Sequence, residues 1–408
     1  MRNKAASFVP LAAGLALAAC ATGERPAARP AVGPQPVEFS LRPVNFSDLP
    51  GWANADLAPA LTAFKRQCAS WSARAADAPL GAGARYGGTV GSWAAACAQA
   101  ASVPPGAERA FFESAFIASA VEGPGDARLT GYYEPIVQAS RWPVPGFTEP
   151  MLRKPSDMVT VDLGAFAEAY DNAELRGAPR TLTGKLYGDR VRPYPTRAEI
   201  NAAPPSQAFG YIKPADLYNL QVQGSGRVRF NDGVEARAAY AAQNGYRWRS
   251  AIGAARDNGR LTDATWRGFR AYLDALTPDG ARAALNEDPS YVFFQEEPIA
   301  DPSAGPRGAA NVNLTALGSL AVDPAFHPYG ALLFVDAVYD GYAFQRLLVA
   351  QDTGGAIRRG PRRGDVFFGS GPEAGLAAER MNSQGVRFWT LMPRGAPIAA
   401  LEDDADAG

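Results

Sequence analysis

Apolar positions recur at helical spacing near the start of the chain. Leu57, Leu61, Phe64, Cys68 and Trp71 fall three or four residues apart, the stripe of a helix packed on one face. Trp93 and Cys97 repeat that spacing in an Ala-rich stretch. The region 54–122 therefore predicts mainly helix, closed by Gly123-Pro124-Gly125. Leu129 to Pro135 then predict a short aromatic strand stopped by proline. From 136 to 285 the texture is mixed. Residues 227–230, the turn Asn231-Asp232-Gly233 and the stretch from Val234 predict a hairpin. Thr262 predicts the N-cap of a helix carrying Trp266, Phe269, Tyr272, Leu273 and Leu276. The stretch 295–310 predicts a loop.

After 311 the pattern shortens. Apolar strands are expected at 314–322, 331–336, 343–351, 365–369 and 385–391, with one helix near 373–381. Strands this short and close, most of them punctuated by Gly or Pro, predict a small closed β-barrel. No internal repeat is visible.

The first residues carry an address rather than a fold. Arg2 and Lys4 precede an apolar run from Phe8 to Leu17, too short to span a membrane. Leu17-Ala18-Ala19-Cys20 resembles the bacterial lipobox, which implies diacylation of Cys20 and removal of residues 1–19. Ala21 in second place implies sorting to the outer membrane, on its periplasmic face; a plain secretory signal is the alternative. Residues 20–35 read as a flexible tether and 396–408 as a disordered tail. Export also makes a disulfide between Cys68 and Cys97 the expected state, with two buried thiols as the alternative.

Composition narrows the chemistry. Of 408 residues, 47% are hydrophobic and 20% charged, as in ordinary globular protein. The net charge of −1 argues for no nucleic-acid partner. His327 is the single histidine, so a multi-His zinc site is excluded and a Ser-His-Asp triad has one candidate. His327 itself reads as structural. Three dispersed cysteines build no thiolate cluster. No cofactor or metal is indicated, and carboxylates are left to carry any reaction.

Three aspartates recur at strand ends in the C-terminal part: Asp323 before Pro324, Asp352 before Thr353-Gly354-Gly355, and Asp365 after Gly364. Any one of them reads most simply as turn chemistry. Asp352 and Asp365, flanking one connection, could share one end of the barrel.

Residues 314–391 resemble the three-aspartate domain of cell-wall enzymes, a double-psi β-barrel also related to expansins. Leu317-Gly318-Ser319, Val322-Asp323-Pro324, Pro328-Tyr329-Gly330, Asp352 through Ile357 and Asp365 through Ala374 carry that likeness. Upstream, Thr130 through Pro135, Gln221 through Gly226, and Asn244-Gly245-Tyr246 with Arg249-Ser250 resemble the membrane-bound lytic murein transglycosylase A family.

The resemblance implies a mainly β fold with some α. A barrel domain of residues 36–134 and 286–395 would be interrupted by an inserted mixed β/α domain at 135–285. A glycan groove would lie between them. It implies cleavage of peptidoglycan with formation of 1,6-anhydromuramic ends, Asp365 serving as both acid and base and Asp352 close by. Thr130, Tyr132, Tyr133, Glu134, Gln221, Gln223, Ser225 and Tyr246 are the expected glycan contacts. Gln221, Gln223 and Ser225 are expected on a loop. The arginines among 358–363 either meet substrate carboxylates or are solvated. The implied partners are peptidoglycan glycan strands, the outer membrane through the lipid, and complexes that build or divide the wall. An expansin-like binding module and a peptidoglycan hydrolase are the rival readings.

Overall fold

The computed structural model describes residues 38–396 apart from 82–83, 177 and 358–359. Cys20, the signal segment, the tether and nearly all of the tail lie outside the described residues.

The chain opens with β1 (Ser40–Val44), α1 (Ala58–Trp71), α2 (Val90–Ala101) and α3 (Glu108–Ala115), followed by β2 (Phe116–Glu122) and β3 (Arg128–Glu134). The stripe seen in the sequence is the buried face of α1, where Leu61, Phe64 and Trp71 face the core. Thr89 caps α2 in a reciprocal box with Ser92. The disulfide Cys68–Cys97 joins α1 to α2, with 5.5 Å between Cα atoms. The expected helical stretch ends earlier than 122, because residues from Phe116 form β2. That strand is buried on both faces and shows no alternation.

The middle of the chain supplies β4 (Ile136–Ala139), β5 (Glu149–Leu152), β6 (Met158–Asp162), α4 (Leu163–Ala169), α5 (Ala173–Arg176), β7 (Thr181–Tyr187), β8 (Arg190–Pro193), α6 (Arg197–Ala202), β9 (Ala208–Ile212) and α7 (Pro214–Gln223). Then come β10 (Gly226–Phe230), β11 (Glu235–Gln243), α8 (Ala251–Asp257), α9 (Trp266–Asp274), α10 (Pro278–Leu285) and β12 (Val292–Pro298). β10 and β11 form the expected hairpin. Helix α9 begins three residues later than predicted, since Thr265 rather than Thr262 accepts a cap bond from Gly268 N. Residues 295–298, expected in a loop, belong to β12.

The last third holds β13 (Ser319–Val322), β14 (Leu332–Tyr339), β15 (Tyr342–Asp352), β16 (Arg363–Ser370), α11 (Pro372–Arg380), β17 (Asn382–Gln384) and β18 (Arg387–Pro393). β14 and β15 are joined by Asp340-Gly341, both at positive φ (53° and 84°). Asp-Gly suits that two-residue turn because both positions tolerate it.

Strands dominate the architecture. One nine-stranded sheet runs β1-β2-β18-β14-β15-β13-β16-β3-β17. It joins strands from both ends of the described chain around one apolar core that includes Phe64, Trp93, Phe116 and Phe334. A second sheet runs β12-β11-β10-β4 over its own core. β12, assigned from sequence to the returning barrel segment, therefore pairs with β11 in the second sheet. The small sheets β5-β9 and β6-β7-β8 complete the middle segment.

Candidate active site

β13 lies between β15 and β16, and Ala321 is the register partner of both Asp352 and Asp365. Register partners project to one face of a sheet. The β13–β15 register slips at this point: Leu320 pairs with Ala350 and Ala321 with Asp352, so Gln351 is the extra residue of a bulge. Gln351 is fully buried; its amide takes the Ser319 hydroxyl at 2.6 Å and donates to Ala63 O at 2.9 Å. That anchorage aims Asp352 into the row occupied by Asp365. On the other side, β3 pairs in parallel with β16, placing Thr130 beside Asp365.

The two carboxyls are wired differently. Asp352 accepts three hydrogen bonds: Ala309 N at 3.0 Å and Thr353 N at 2.9 Å on Oδ1, and the Tyr132 hydroxyl at 2.8 Å on Oδ2. Asp365 accepts one, from Thr130 Oγ1 to Oδ1 at 2.7 Å. Both are half-buried. Burial pushes both carboxyls above the usual range. Asp352 is held back by its three donors. Asp365 is pushed up to about 6, chiefly by burial, with Thr130 and Arg363 opposing and the Asp352 charge reinforcing. The pair thus divides into a carboxylate held by three donors and a carboxyl able to carry a proton near neutral pH.

Tyr132, on β3, touches the site through its hydroxyl. Its ring packs against Phe367 at 5.4 Å, and burial together with both aspartates holds its hydroxyl protonated. Tyr133 faces the middle segment instead. Its N–H donates to Gln223 Oε1 at 3.1 Å and its hydroxyl accepts from Asn219 Nδ2 at 2.9 Å.

Several expected glycan contacts stand elsewhere. Glu134 is fully buried and bound by Arg237 at 2.6 Å, Arg227 at 2.8 Å and the Ser370 hydroxyl at 2.6 Å. It is a structural ion cluster joining β3, β10, β11 and β16 rather than a cleft carboxylate. Gln221 is buried too, with Arg197 and Val292 O as partners. Gln221 and Gln223 lie on α7, not on a loop, and Gly224 at φ 82° ends that helix. Ser225 is buried behind it. Among the described residues no hydrogen bond ties Tyr246 to either aspartate; its carbonyl accepts from Gln243.

Asp323 is buried and serves the scaffold. It accepts from Ala325 N and Gly360 N, both at 3.1 Å, and so braces the connection that leads to Asp365. His327 is buried between Tyr86 at 2.7 Å and Pro361 O at 2.6 Å; burial lowers its pKa to about 4, as suits a structural neutral ring. Of the arginines in that connection, Arg358 and Arg359 lie outside the described residues. Arg363 is buried, contrary to a solvated loop, and donates to Thr130 Oγ1 at 2.9 Å. The sequence reading placed Arg363 among arginines that meet substrate or solvent rather than beside Thr130, and it missed Ala309 and Ala321, which lack any motif.

A cavity of about 880 Å³ lies away from this pair, lined by Tyr339, Phe344, Arg346, Phe368 and Glu373 among others. Neither aspartate lines it. Among the described residues no cluster of metal-binding side chains occurs, and no helix is long and apolar enough to cross a membrane.

Comparison with known proteins places this arrangement. Residues 128–295 match the MltA specific insert domain and residues 318–392 the 3D domain. The chain is 30% identical over 280 residues to membrane-bound lytic murein transglycosylase A of Escherichia coli K12, an alignment spanning 65% of this chain and 66% of that relative. The crystal structure of a membrane-bound lytic murein transglycosylase from Agrobacterium tumefaciens superimposes with a TM-score of 0.71 at 30% identity, covering 87% of this chain and 98% of that one. The crystal structure of E. coli MltA with bound chitohexaose matches with a TM-score of 0.59 at 25% identity, covering 90% and 96%. The chain belongs to the membrane-bound lytic murein transglycosylase A family.

Proposed function

We propose that this chain is a lytic transglycosylase that cleaves the β-1,4 bond between N-acetylmuramic acid and N-acetylglucosamine in peptidoglycan. The observation that carries the reading is the asymmetry of the pair: one protonatable carboxyl, Asp365, with a single donor, beside Asp352, held by three. In this reading Asp365 gives its proton to the glycosidic oxygen as the C1–O4 bond breaks. The muramic 6-hydroxyl oxygen then bonds to C1, and its proton passes to the Asp365 carboxylate. No water is consumed, and a 1,6-anhydro end forms. Tyr132 and the two backbone amides favour the ionised form of Asp352 against the burial that raises its pKa, and hold it near the positive charge that develops at C1.

A hydrolase would need its second carboxylate to activate water. Asp352 already accepts three hydrogen bonds, which weakens it as a base and disfavours that rival. The chitohexaose in the E. coli relative supports a glycan ligand. We extend the proposal to a lipid anchor at Cys20 on the periplasmic face of the outer membrane, as the lipobox and the membrane-bound relatives support. The test is incubation of the chain lacking residues 1–20 with murein sacculi and mass analysis of what is released. Non-reducible anhydromuropeptides are expected. Reducible ends would make it a hydrolase, and binding without release an expansin-like module.

A further inference from the structure

We infer that Arg363 is a positioning residue for the acid: it fixes the Thr130 hydroxyl as a donor to Oδ1 of Asp365, leaving Oδ2 to carry the catalytic proton. The inference rests on the transglycosylase reading and deepens it.

A threonine hydroxyl has one proton and two acceptor sites, whereas a guanidinium only donates. Arg363 Nη2 donates to Thr130 Oγ1 at 2.9 Å. The hydroxyl proton is thereby turned away from the arginine, toward Asp365 Oδ1 at 2.7 Å. An oxygen that accepts this bond is the wrong one to hold the carboxyl proton. Oδ2 has no hydrogen-bond partner among the described residues, and it is not among their buried unpartnered atoms, so it is the oxygen left to take a proton. That open oxygen is the one a glycosidic oxygen can reach. The same oxygen then takes the proton from the 6-hydroxyl, so one orientation serves both halves of the reaction.

The arginine is built in rather than draped over the site. It is 7% exposed, and its Nη1 donates to Arg128 O on β3 and to Gly364 O on its own strand. Among the described residues, the charged or titratable groups facing Asp365 are Asp352 from β15, Tyr132 from β3 and Arg363 from β16; β13 offers only Ala321. Arg363 is the one cation among them. It acts through the hydroxyl it orients and through its charge, which opposes the upward push of burial.

The experiment uses the chain starting after Cys20, uncrosslinked glycan strands as substrate, and aspartate labelled with carbon-13 at Cγ. The Asp365 resonance is assigned by its loss in Asp365→Asn. Arg363→Gln is expected to raise the Asp365 titration midpoint and lower kcat about tenfold, with KM within about twofold. In a Thr130→Val background, the kcat loss caused by Arg363→Gln is expected to shrink to about threefold, because the route through the hydroxyl is gone and only the charge remains. Arg363→Met replaces Arg363→Gln if the latter does not fold. The inference is overturned if a folded Arg363 variant keeps both kcat and the titration of Asp365, or if its kcat loss is undiminished in the Thr130→Val background. A wild-type chain that released no anhydro product would sink the functional reading instead, and the titration would still decide the role of Arg363.

Discussion

Asp352 and Asp365 share Ala321 as register partner, so the two carboxyls stand in one row with a single methyl group between them. Each owes its place to a different device. The Gln351 bulge re-aims Asp352, and the parallel pairing with β3 gives Asp365 its one donor, Thr130. Two identical side chains on one sheet thereby acquire different electrostatic environments through unequal numbers of donors.

Asp365→Asn should abolish release of anhydromuropeptides and stabilise the protein at alkaline pH. Burial raises this carboxyl from 3.8 to about 6, so the folded state holds the proton more tightly than the unfolded chain. That contribution to stability is full below pH 4 and is lost as pH rises through about 6, at most ~3 kcal/mol. The variant should therefore melt higher than wild type at pH 8 and about equally at pH 3.5. By the same logic, kcat of the wild type should fall as pH climbs through about 6, where the acid loses its proton. A variant that melts no higher at pH 8 would deny the raised pKa.

Tyr132→Phe removes one of three donors on Asp352 and leaves the ring against Phe367. With fewer donors, burial lifts the Asp352 carboxyl further and weakens the fixed negative charge beside C1. We expect kcat to fall about tenfold while KM stays within about twofold. A loss confined to KM would instead mark the tyrosine as a sugar contact.

Much of this fold is legible because its elements bury one face or one run. The stripe on α1, the hairpin β10–β11 and the strands β14, β15, β16 and β18 follow directly from periodicity and turn residues, while β13 begins at Ser319 rather than at 314. β2 escapes because it is buried on both faces and follows α3 without a break, so neither period nor punctuation marks it. The aspartates stand out by their positions beside glycines and prolines. What joins them does not, since Thr130 meets Arg363 across 233 residues and Tyr132 meets Asp352 across 220. Glu134 shows the cost of local reading: Glu before Pro looks like a turn, while its arginines lie 93 and 103 residues further on.

Glu134→Gln should damage stability rather than glycan affinity. Its carboxylate neutralises Arg227 and Arg237, and all three side chains are at least nine-tenths buried. Neutralising it strands two guanidiniums, a change that costs about 3–5 kcal/mol when one member of a buried pair is removed. Denaturant unfolding checks the loss. If the folded fraction bound glycan strands far more weakly than wild type, a direct contact would have to be restored.

Replacing Cys68 and Cys97 together by Ala should leave activity intact and lower stability. The bridge closes a loop of 29 residues between α1 and α2, on the opposite side of the sequence from either aspartate. Loop closure of that length is worth about 3.6 kcal/mol. Reduction of the wild type should reproduce the same shift in the melting curve; an equal melt with and without reductant would show that the bridge contributes nothing.

Ala321→Leu tests the shared row itself. Ala321 is 4% exposed and sits between the two carboxyls, so three added carbons have nowhere to go without displacing one of them. Overpacking of this kind costs about 1–3 kcal/mol, which a chain of this size survives. Activity should suffer more than stability, because a shift of about 1 Å in a reacting group lowers rate about a hundredfold. Ala321→Gly leaves the row open and should retain most of kcat. The informative measurement is kcat for both variants beside their melting temperatures. If Leu and Gly lowered kcat equally, position 321 would matter for folding alone, and the spacing of Asp352 and Asp365 would not be what the reaction depends on.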